Sequence, residues 1–146
     1  MKSVRDILRS KPISQTFSVM PGTKVLDAIK LMAEKGIGAL VVLENDKLVG
    51  IVSERDYARK VVLMARSSHT AEVREIMTSD VITVEPGQSI EHCMELMTER
   101  RLRHLPVQED GELLGMISIG DIVKHIISDQ QFLIRQLEGY IRGEAV

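Results

Sequence analysis

Two polar motifs of the form Ser-x-x-Asp stand 65 residues apart, at residues 53–56 and 118–121. At a strand-to-helix junction, a carboxylate can accept two hydrogen bonds from a sugar diol, while the serine hydroxyl and the free helix amides can contact sugar or phosphate. The same spacing is typical of a capping box that only starts a helix, and taken alone it favours the cap. One residue can serve both roles. The candidate binding residues of the two motifs are Ser53, Arg55, Asp56, Ser118, Gly120 and Asp121.

A basic stretch, Arg101, Arg103 and His104, leads into an apolar run that ends at Val107. Guanidinium groups bind phosphate through charge-assisted hydrogen bonds, and an imidazole can add another. The alternative is the solvated basic end of a helix, which is what most charge runs are. Because Arg103 and His104 interrupt an apolar strand entry, we favour phosphate binding for these two and leave Arg101 open.

The positions 65 residues earlier carry no charge: Gly36, Ile37, Gly38 and Ala39. Small residues there would let a flat base approach the backbone, whose amides and carbonyls could contact it. The alternative is a helix-to-strand turn that needs glycine at positive φ.

Other chemistries find little support in the sequence. The four histidines show no metal-ligand spacing with each other or with the single cysteine, Cys93, which falls on the apolar face of a helix and is predicted to be core. Neither a nucleotide-hydrolase phosphate loop nor a nucleophile elbow is present. We therefore expect a protein that binds without catalytic turnover, and no metal.

The two motifs belong to a longer internal repeat. Residues 16–64 align with residues 81–129 at a constant offset of 65, and residues 4–8 resemble residues 73–77 at an offset of 69. Apolar periodicity and turn residues give each copy the order β-α-β-β-α, with strands expected first at residues 16–19 and 81–84.

This order predicts an α/β (α+β) fold in which two tandem repeats pack about a pseudo-twofold axis, since one copy is too small to be stable alone. We expect a first repeat with its N-terminal segment at residues 1–66, a second at residues 67–128, and a C-terminal amphipathic helix or tail at residues 129–146.

Composition narrows the possible partners. The formal net charge is -2, and the chain contains two Tyr, two Phe and no Trp. These values disfavour nucleic acid, which needs positive charge or stacking platforms, and an anionic membrane surface. Without an apolar signal segment or a membrane span, a cytoplasmic location is expected.

The series Pro-Gly, amphipathic helix, strand, hairpin and Gly-x-x-Ser-x-x-Asp, present twice, resembles a pair of CBS domains (a Bateman module). The second copy adds Arg-Leu-Arg-His-Leu-Pro-Val at residues 101–107, which is similar to the basic strand entry of that family. The resemblance extends to small stand-alone bacterial CBS-pair proteins. It implies a homodimer and an adenine-nucleotide ligand of the AMP, ADP, ATP or NAD class, with S-adenosylmethionine a weaker alternative.

In that family the aspartate of the Ser-x-x-Asp motif is the usual ribose ligand. The resemblance therefore favours a binding role for Asp56 and Asp121 over a role as helix caps alone. The resemblance implies a first site formed by Met20, Val25, Ile37, Gly38, Ala39, Ser118, Gly120 and Asp121, with Arg103 and His104 at its phosphate. It implies a second, less accessible site formed by Ser53, Arg55, Asp56, Ile90, Leu102, Arg103 and His104. The predicted function is a regulatory nucleotide sensor with an unknown protein partner; the alternative is a homodimeric interaction scaffold with no ligand dependence.

Overall fold

A computed structural model describes residues 2–11 and 16–141. Within them the two repeats follow the same order of elements, except that β1 of the first repeat has no counterpart strand in the second. The helices are α1 (Val4–Ser10), α2 (Val25–Lys35), α3 (Glu54–Tyr57, continued by a π-helical turn, Ala58–Val62), α4 (Val73–Ile76), α5 (Ile90–Arg100) and α6 (Ile119–Ile141). The strands are β1 (Ser18–Val19), β2 (Ala39–Glu44), β3 (Lys47–Ser53), β4 (His104–Glu109) and β5 (Glu112–Ser118). The predicted α/β fold with two tandem repeats is confirmed.

Each repeat is organised around one antiparallel hairpin, β2–β3 in the first and β4–β5 in the second. The central turn residues all have positive φ: 53° and 62° at Asn45 and Asp46, and 54° and 78° at Asp110 and Gly111. Such turns match the right-handed twist of the strands they join. The hairpins place Ser53 opposite Ala39 and Ser118 opposite His104, so each motif begins beside the entry of the preceding strand.

The predicted first strand of the second repeat is wrong. Residues 81–84 contribute only a bridge between Val84 and Val107, whereas β1 pairs in parallel with β2 over two residues. Extending the bridge would require the N–H of Pro106, which proline lacks, while the equivalent Val41 has one. A single proline thus shortens the sheet.

The hydrophobic cores exchange their short helices. Val4 and Ile7 of α1 lie in the core of the second repeat, and Val73 and Ile76 of α4 lie in that of the first. Matching backbone hydrogen bonds hold them: Val4 N donates to the Gln88 carbonyl at 2.9 Å, and Val73 N donates to the Thr23 carbonyl at 2.8 Å. Because the exchange is reciprocal, each repeat depends on the chain segment that precedes the other. The division of the chain at residue 66 stays a prediction.

One continuous helix, α6, replaces the closing helix and separate tail helix expected from the sequence. It contains 23 residues, which corresponds to about 35 Å. Ile122 packs into the second core, but from residue 127 onward every described residue except Gly139 is exposed. Residues 142–146 of the predicted tail lie outside the described residues. None of the described helices has the length and hydropathy that crossing a membrane requires.

Candidate functional site

The first cleft lies between the helix-to-strand turn of the first repeat and the β5–α6 junction of the second, and has a volume of about 490 Å³. It unites six of the predicted residues: Ile37, Gly38, Ala39, His104, Ser118 and Asp121. Side chains from the two copies therefore meet at this cleft, as the sequence predicted, although they are distant in the chain.

At its centre, Asp121 and Ser118 form the expected reciprocal cap. Ser118 N donates to Asp121 Oδ2 at 2.8 Å, and Asp121 N donates to Ser118 Oγ at 3.1 Å. Lys11 Nζ lies 3.0 Å from the same Oδ2 and donates to the Met116 carbonyl at 2.7 Å. Among the described residues no hydrogen bond uses Oδ1, so the carboxylate keeps an acceptor for a ligand hydroxyl while it caps α6.

The first cleft is electropositive. Lys11, Lys35 and Lys124 line it, and Asp121 is its only carboxylate among the described residues. Burial lowers the pKa of His104 from its ordinary value; Asp121 opposes this shift, and Lys11 and Arg103 add to it. The three lysines therefore make the first cleft a site suited to an anion.

Two glycines of the first repeat have different roles. Gly36 ends α2 with a φ of 64°, so at this position the alternative of a turn residue with positive φ is the correct one. The equivalent Arg101 takes the same left-handed conformation, with a φ of 55°. Gly38 has no positive φ. A Cβ on it would lie 3.4 Å from Glu54 Oε1 and 3.6 Å from His104 Cε1. Its missing side chain therefore leaves space at the wall between two clefts.

The second cleft, about 680 Å³, lies on the other side of that wall at the β3–α3 junction. Asp56 Oδ2 accepts hydrogen bonds from Ser53 N at 2.9 Å and from Ser53 Oγ at 3.1 Å. Asp56 Oδ1 lies 3.4 Å from Lys60 Nζ, which also donates to the Ile76 carbonyl at 2.9 Å. Unlike in Asp121, both carboxylate oxygens face internal partners.

Positive charge is denser in the second cleft. Its cationic residues are Arg55, Arg59, Lys60, Arg100, Arg101 and Arg103, against the carboxylates Glu54, Asp56 and Asp80. Arg55 Nη1 donates to the Arg101 carbonyl at 3.3 Å, which joins the start of α3 to the end of α5. The basic stretch that the sequence singled out therefore lines this cleft.

Several predicted residues lie elsewhere. Arg103 opens into the second cleft and not the first, while Gly120 lines neither cleft. Met20 is exposed and outside both clefts, and Val25 and Ile90 are core residues of the first and second repeats. The helical spacing of apolar residues had already placed Val25 and Ile90 on apolar helix faces. For these two residues the spacing was a better guide than the family resemblance, which implied ligand contact. Cys93 is buried in the second core as predicted, and burial raises the pKa of its thiol to about 11.

Residues that the sequence analysis missed also line the first cleft. Besides the three lysines they are Leu8, Thr16, Phe17 and residues 114–117. Lys124 follows Asp121 by one helical turn, so their spacing was a usable signal. Lys11 gave none, because it reaches the cleft only through the exchange of α1.

Comparison with known proteins identifies the family. The model of the CBS domain matches residues 4–63 and 73–128. The mitochondrial CBS domain-containing protein CBSX3 of Arabidopsis thaliana is 39% identical over 149 residues, covering 97% of this chain and 72% of that protein.

Solved structures show the same arrangement. A protein with CBS domains from Burkholderia ambifaria is 57% identical, with a TM-score of 0.86 over 88% of this chain and 96% of that one. The CBS domain pair of protein MJ0100, in complex with 5-methylthioadenosine and S-adenosyl-L-methionine, is 25% identical, with a TM-score of 0.76 over 88% of this chain and 98% of that one. The chain therefore belongs to the CBS-domain family and contains two tandem CBS domains.

Proposed function

We propose that this protein is a cytoplasmic regulatory sensor that binds an adenine nucleotide in the first cleft without turning it over. The observation that carries the proposal is Asp121 Oδ1, which has no hydrogen-bond partner among the described residues and lies in the same cleft as an uncharged turn and three lysines. A nucleotide needs these three environments together: an acceptor for the ribose diol, a flat backbone surface for the base, and positive charge for phosphate.

The asymmetry of the first cleft orients the ligand. The base lies against the uncharged wall formed by Ile37, Gly38 and Ala39, and the ribose lies at Asp121. The phosphates extend toward Lys35 and Lys124. His104 gains a phosphate partner when protonated.

Charge favours phosphorylated ligands over a sulfonium. The three lysines of the first cleft repel a positively charged sulfur, whereas they attract AMP, ADP, ATP or NAD. The MJ0100 domain pair is in complex with S-adenosyl-L-methionine, so this ligand belongs in the comparison panel. We expect it to bind this chain more weakly than ADP.

The second cleft ranks below the first. Both oxygens of Asp56 face internal donors, and Arg103 and His104 stand where the first cleft has Gly38 and Ala39. Ser53, Arg55, Arg101 and Arg103 suit a phosphate better than a base.

Isothermal titration calorimetry with AMP, ADP, ATP, NAD and S-adenosylmethionine tests the proposal. Asp121→Asn should weaken nucleotide binding by about 10–100-fold, the value of one or two hydrogen bonds to a charged group. The matched control Asp56→Asn weakens an equivalent cap but should leave this affinity within about twofold. No binding of any compound, or equal losses in both variants, would contradict the proposal.

The interaction scaffold is the second candidate, because α6 carries an exposed apolar face. Its members include Ile127, Leu133, Ile134, Leu137 and Ile141. We propose that this face joins two copies in a homodimer, whether or not a ligand binds. Leu137→Glu should shift sedimentation toward a monomer, whereas Arg135→Glu on the opposite face should not; a monomeric parent protein would contradict it. An additional protein partner, not identified by the structure, would respond to the sensor.

A further inference from the structure

Lys11 joins three parts of the molecule. It directly follows α1, whose Val4 and Ile7 lie in the core of the second repeat. Its ammonium group contacts Asp121 Oδ2 at 3.0 Å and the Met116 carbonyl at 2.7 Å. One side chain thus ties the C-terminal end of α1 to both α6 and β5.

The position of Lys11 conflicts with full binding of a diol. Each carboxylate oxygen has two lone pairs, and those of Oδ2 already face Ser118 N and Lys11 Nζ. A diol that donates to both oxygens can use Oδ1, which has no hydrogen-bond partner among the described residues. On Oδ2 it must take the place of Lys11, because the Ser118 bond belongs to the cap.

We propose that Lys11 is an internal occupant of the first cleft, and that a nucleoside diol displaces it from Asp121 and so releases the C-terminal end of α1. The proposal rests on the nucleotide site proposed above. Displacement is feasible, since both side chains are partly exposed, with 28% and 23% relative accessibility, and ion pairs of this kind are weak.

The release would be local. The N-terminal end of α1 stays attached through Val4 N to the Gln88 carbonyl and Arg5 N to the Pro86 carbonyl, at 2.9 and 3.0 Å. Ligand binding would therefore loosen the last turn of α1, Leu8 to Ser10, and not detach the helix. Leu8 also lines the first cleft, so the ligand meets this turn directly.

The second cleft also has a lysine that contacts its aspartate, but this lysine comes from a different part of the chain. Lys60 contacts Asp56 and the Ile76 carbonyl in the same manner, but it lies four residues after Asp56 along its own helix. Displacing Lys60 would free the Ile76 carbonyl at the end of α4, but the lysine would stay in place on its own helix. Only in the first cleft does the lysine itself come from the segment of an exchanged helix.

Adenosine is the appropriate probe, because it carries the diol but no phosphate that Lys11 could attract. By calorimetry, Lys11→Met should bind adenosine about three- to fivefold more tightly than the parent, the value of a partly exposed ion pair. The control Lys60→Met, which breaks the corresponding lysine–aspartate pair of the second cleft, should bind adenosine as the parent does. Lys11→Met should also lose affinity for ADP relative to adenosine, because it removes a positive charge from the first cleft.

Hydrogen exchange gives a second measure. ADP should speed amide exchange at residues 8–10 of the parent, and Lys11→Met should show fast exchange there without ligand. If the parent binds ADP but Lys11→Met binds adenosine no more tightly than Lys60→Met, the role of Lys11 as an internal occupant is contradicted while the nucleotide site stands. Slower exchange at residues 8–10 with ADP would contradict it in the same way. If neither the parent nor Lys11→Met binds any nucleotide or nucleoside, both proposals fail.

Discussion

The first and second clefts are built from equivalent positions, yet they differ in chemistry. Both have a Ser-x-x-Asp cap with nearly the same distances, from 2.8 to 3.2 Å. Around this shared cap, the first cleft has the uncharged turn 36–39 and the second has the basic residues 101–104.

The aspartates differ accordingly. In the described part of the chain Asp121 Oδ1 has no hydrogen-bond partner, and Oδ2 is paired with Lys11 from the other end of the chain. Asp56 Oδ1 instead faces Lys60 of its own helix. Duplication therefore preserved what the fold needs, which is the helix start. The residues around the cap differ: the first cleft has uncharged residues against which a base can lie, whereas the second has basic residues at the same positions.

A large side chain at Gly38, in the wall between the two clefts, should have the largest effect on nucleotide affinity. Gly38→Leu would fill the space beside His104 and should weaken ADP binding by about 100-fold, since forced overpacking costs up to ~3 kcal/mol. Arg103→Leu at the equivalent position should change this affinity by about twofold or less. Calorimetry that finds similar losses would show that the two clefts are equally accessible to a base.

Two equivalent glycines should differ in their contribution to stability. A Cβ at Gly50 would lie 2.6 Å from Met77 Sδ and 3.1 Å from the Thr78 carbonyl, whereas at Gly115 it meets the mobile end of Leu8 at 3.0 Å. Gly50→Ala should lower the free energy of unfolding by about 1–3 kcal/mol. Gly115→Ala should lower it by less than about 1 kcal/mol, because alanine also restricts the unfolded chain.

Urea unfolding measures both values. An equal loss of unfolding free energy in the two variants would contradict this difference. It would mean that α1 and α4 pack equally tightly against their sheets.

The smallest effect concerns pH. Burial lowers the pKa of His104 below the value of about 6.5 expected for the unfolded chain. As the pH falls through the unfolded pKa, His104 is protonated in the unfolded chain before it is protonated in the folded one. The free energy of unfolding is therefore at its full value above the unfolded pKa and decreases as the pH falls. The charged groups around His104 are Asp121, Lys11, Arg103 and, beside Gly38, Glu54.

His104→Gln should accordingly lose less stability than the parent between pH 7.5 and 5.5, in urea unfolding at several pH values. The exposed His69→Gln is the control, and it should follow the parent. Since the first repeat has Ala39 at the equivalent position, this sensitivity belongs to the second strand entry alone. Parallel pH profiles for His104→Gln and the parent would contradict the assignment.

The sequence by itself determined the duplication, the order of elements, the hairpins and the two caps. These features depend on local signals: an offset of 65 residues, apolar periodicity, Asp-Gly at a turn, and Ser-x-x-Asp before a helix. The resemblance to CBS pairs, which the sequence carries, also implied that Gly38, Ala39, His104, Ser118 and Asp121 share one site, and all five line the first cleft.

Only the tertiary structure decided the exchange of α1 and α4, and with it the arrival of Lys11 at Asp121. Nothing in the local pattern of residues 4–10 states which sheet they cover, since both cores offer an equivalent apolar groove. The structure also assigned Arg103 to the second cleft and shortened the sheet at Pro106. The direction of a side chain at a strand entry and the pairing of a strand both depend on the neighbouring backbone, which a linear pattern does not contain.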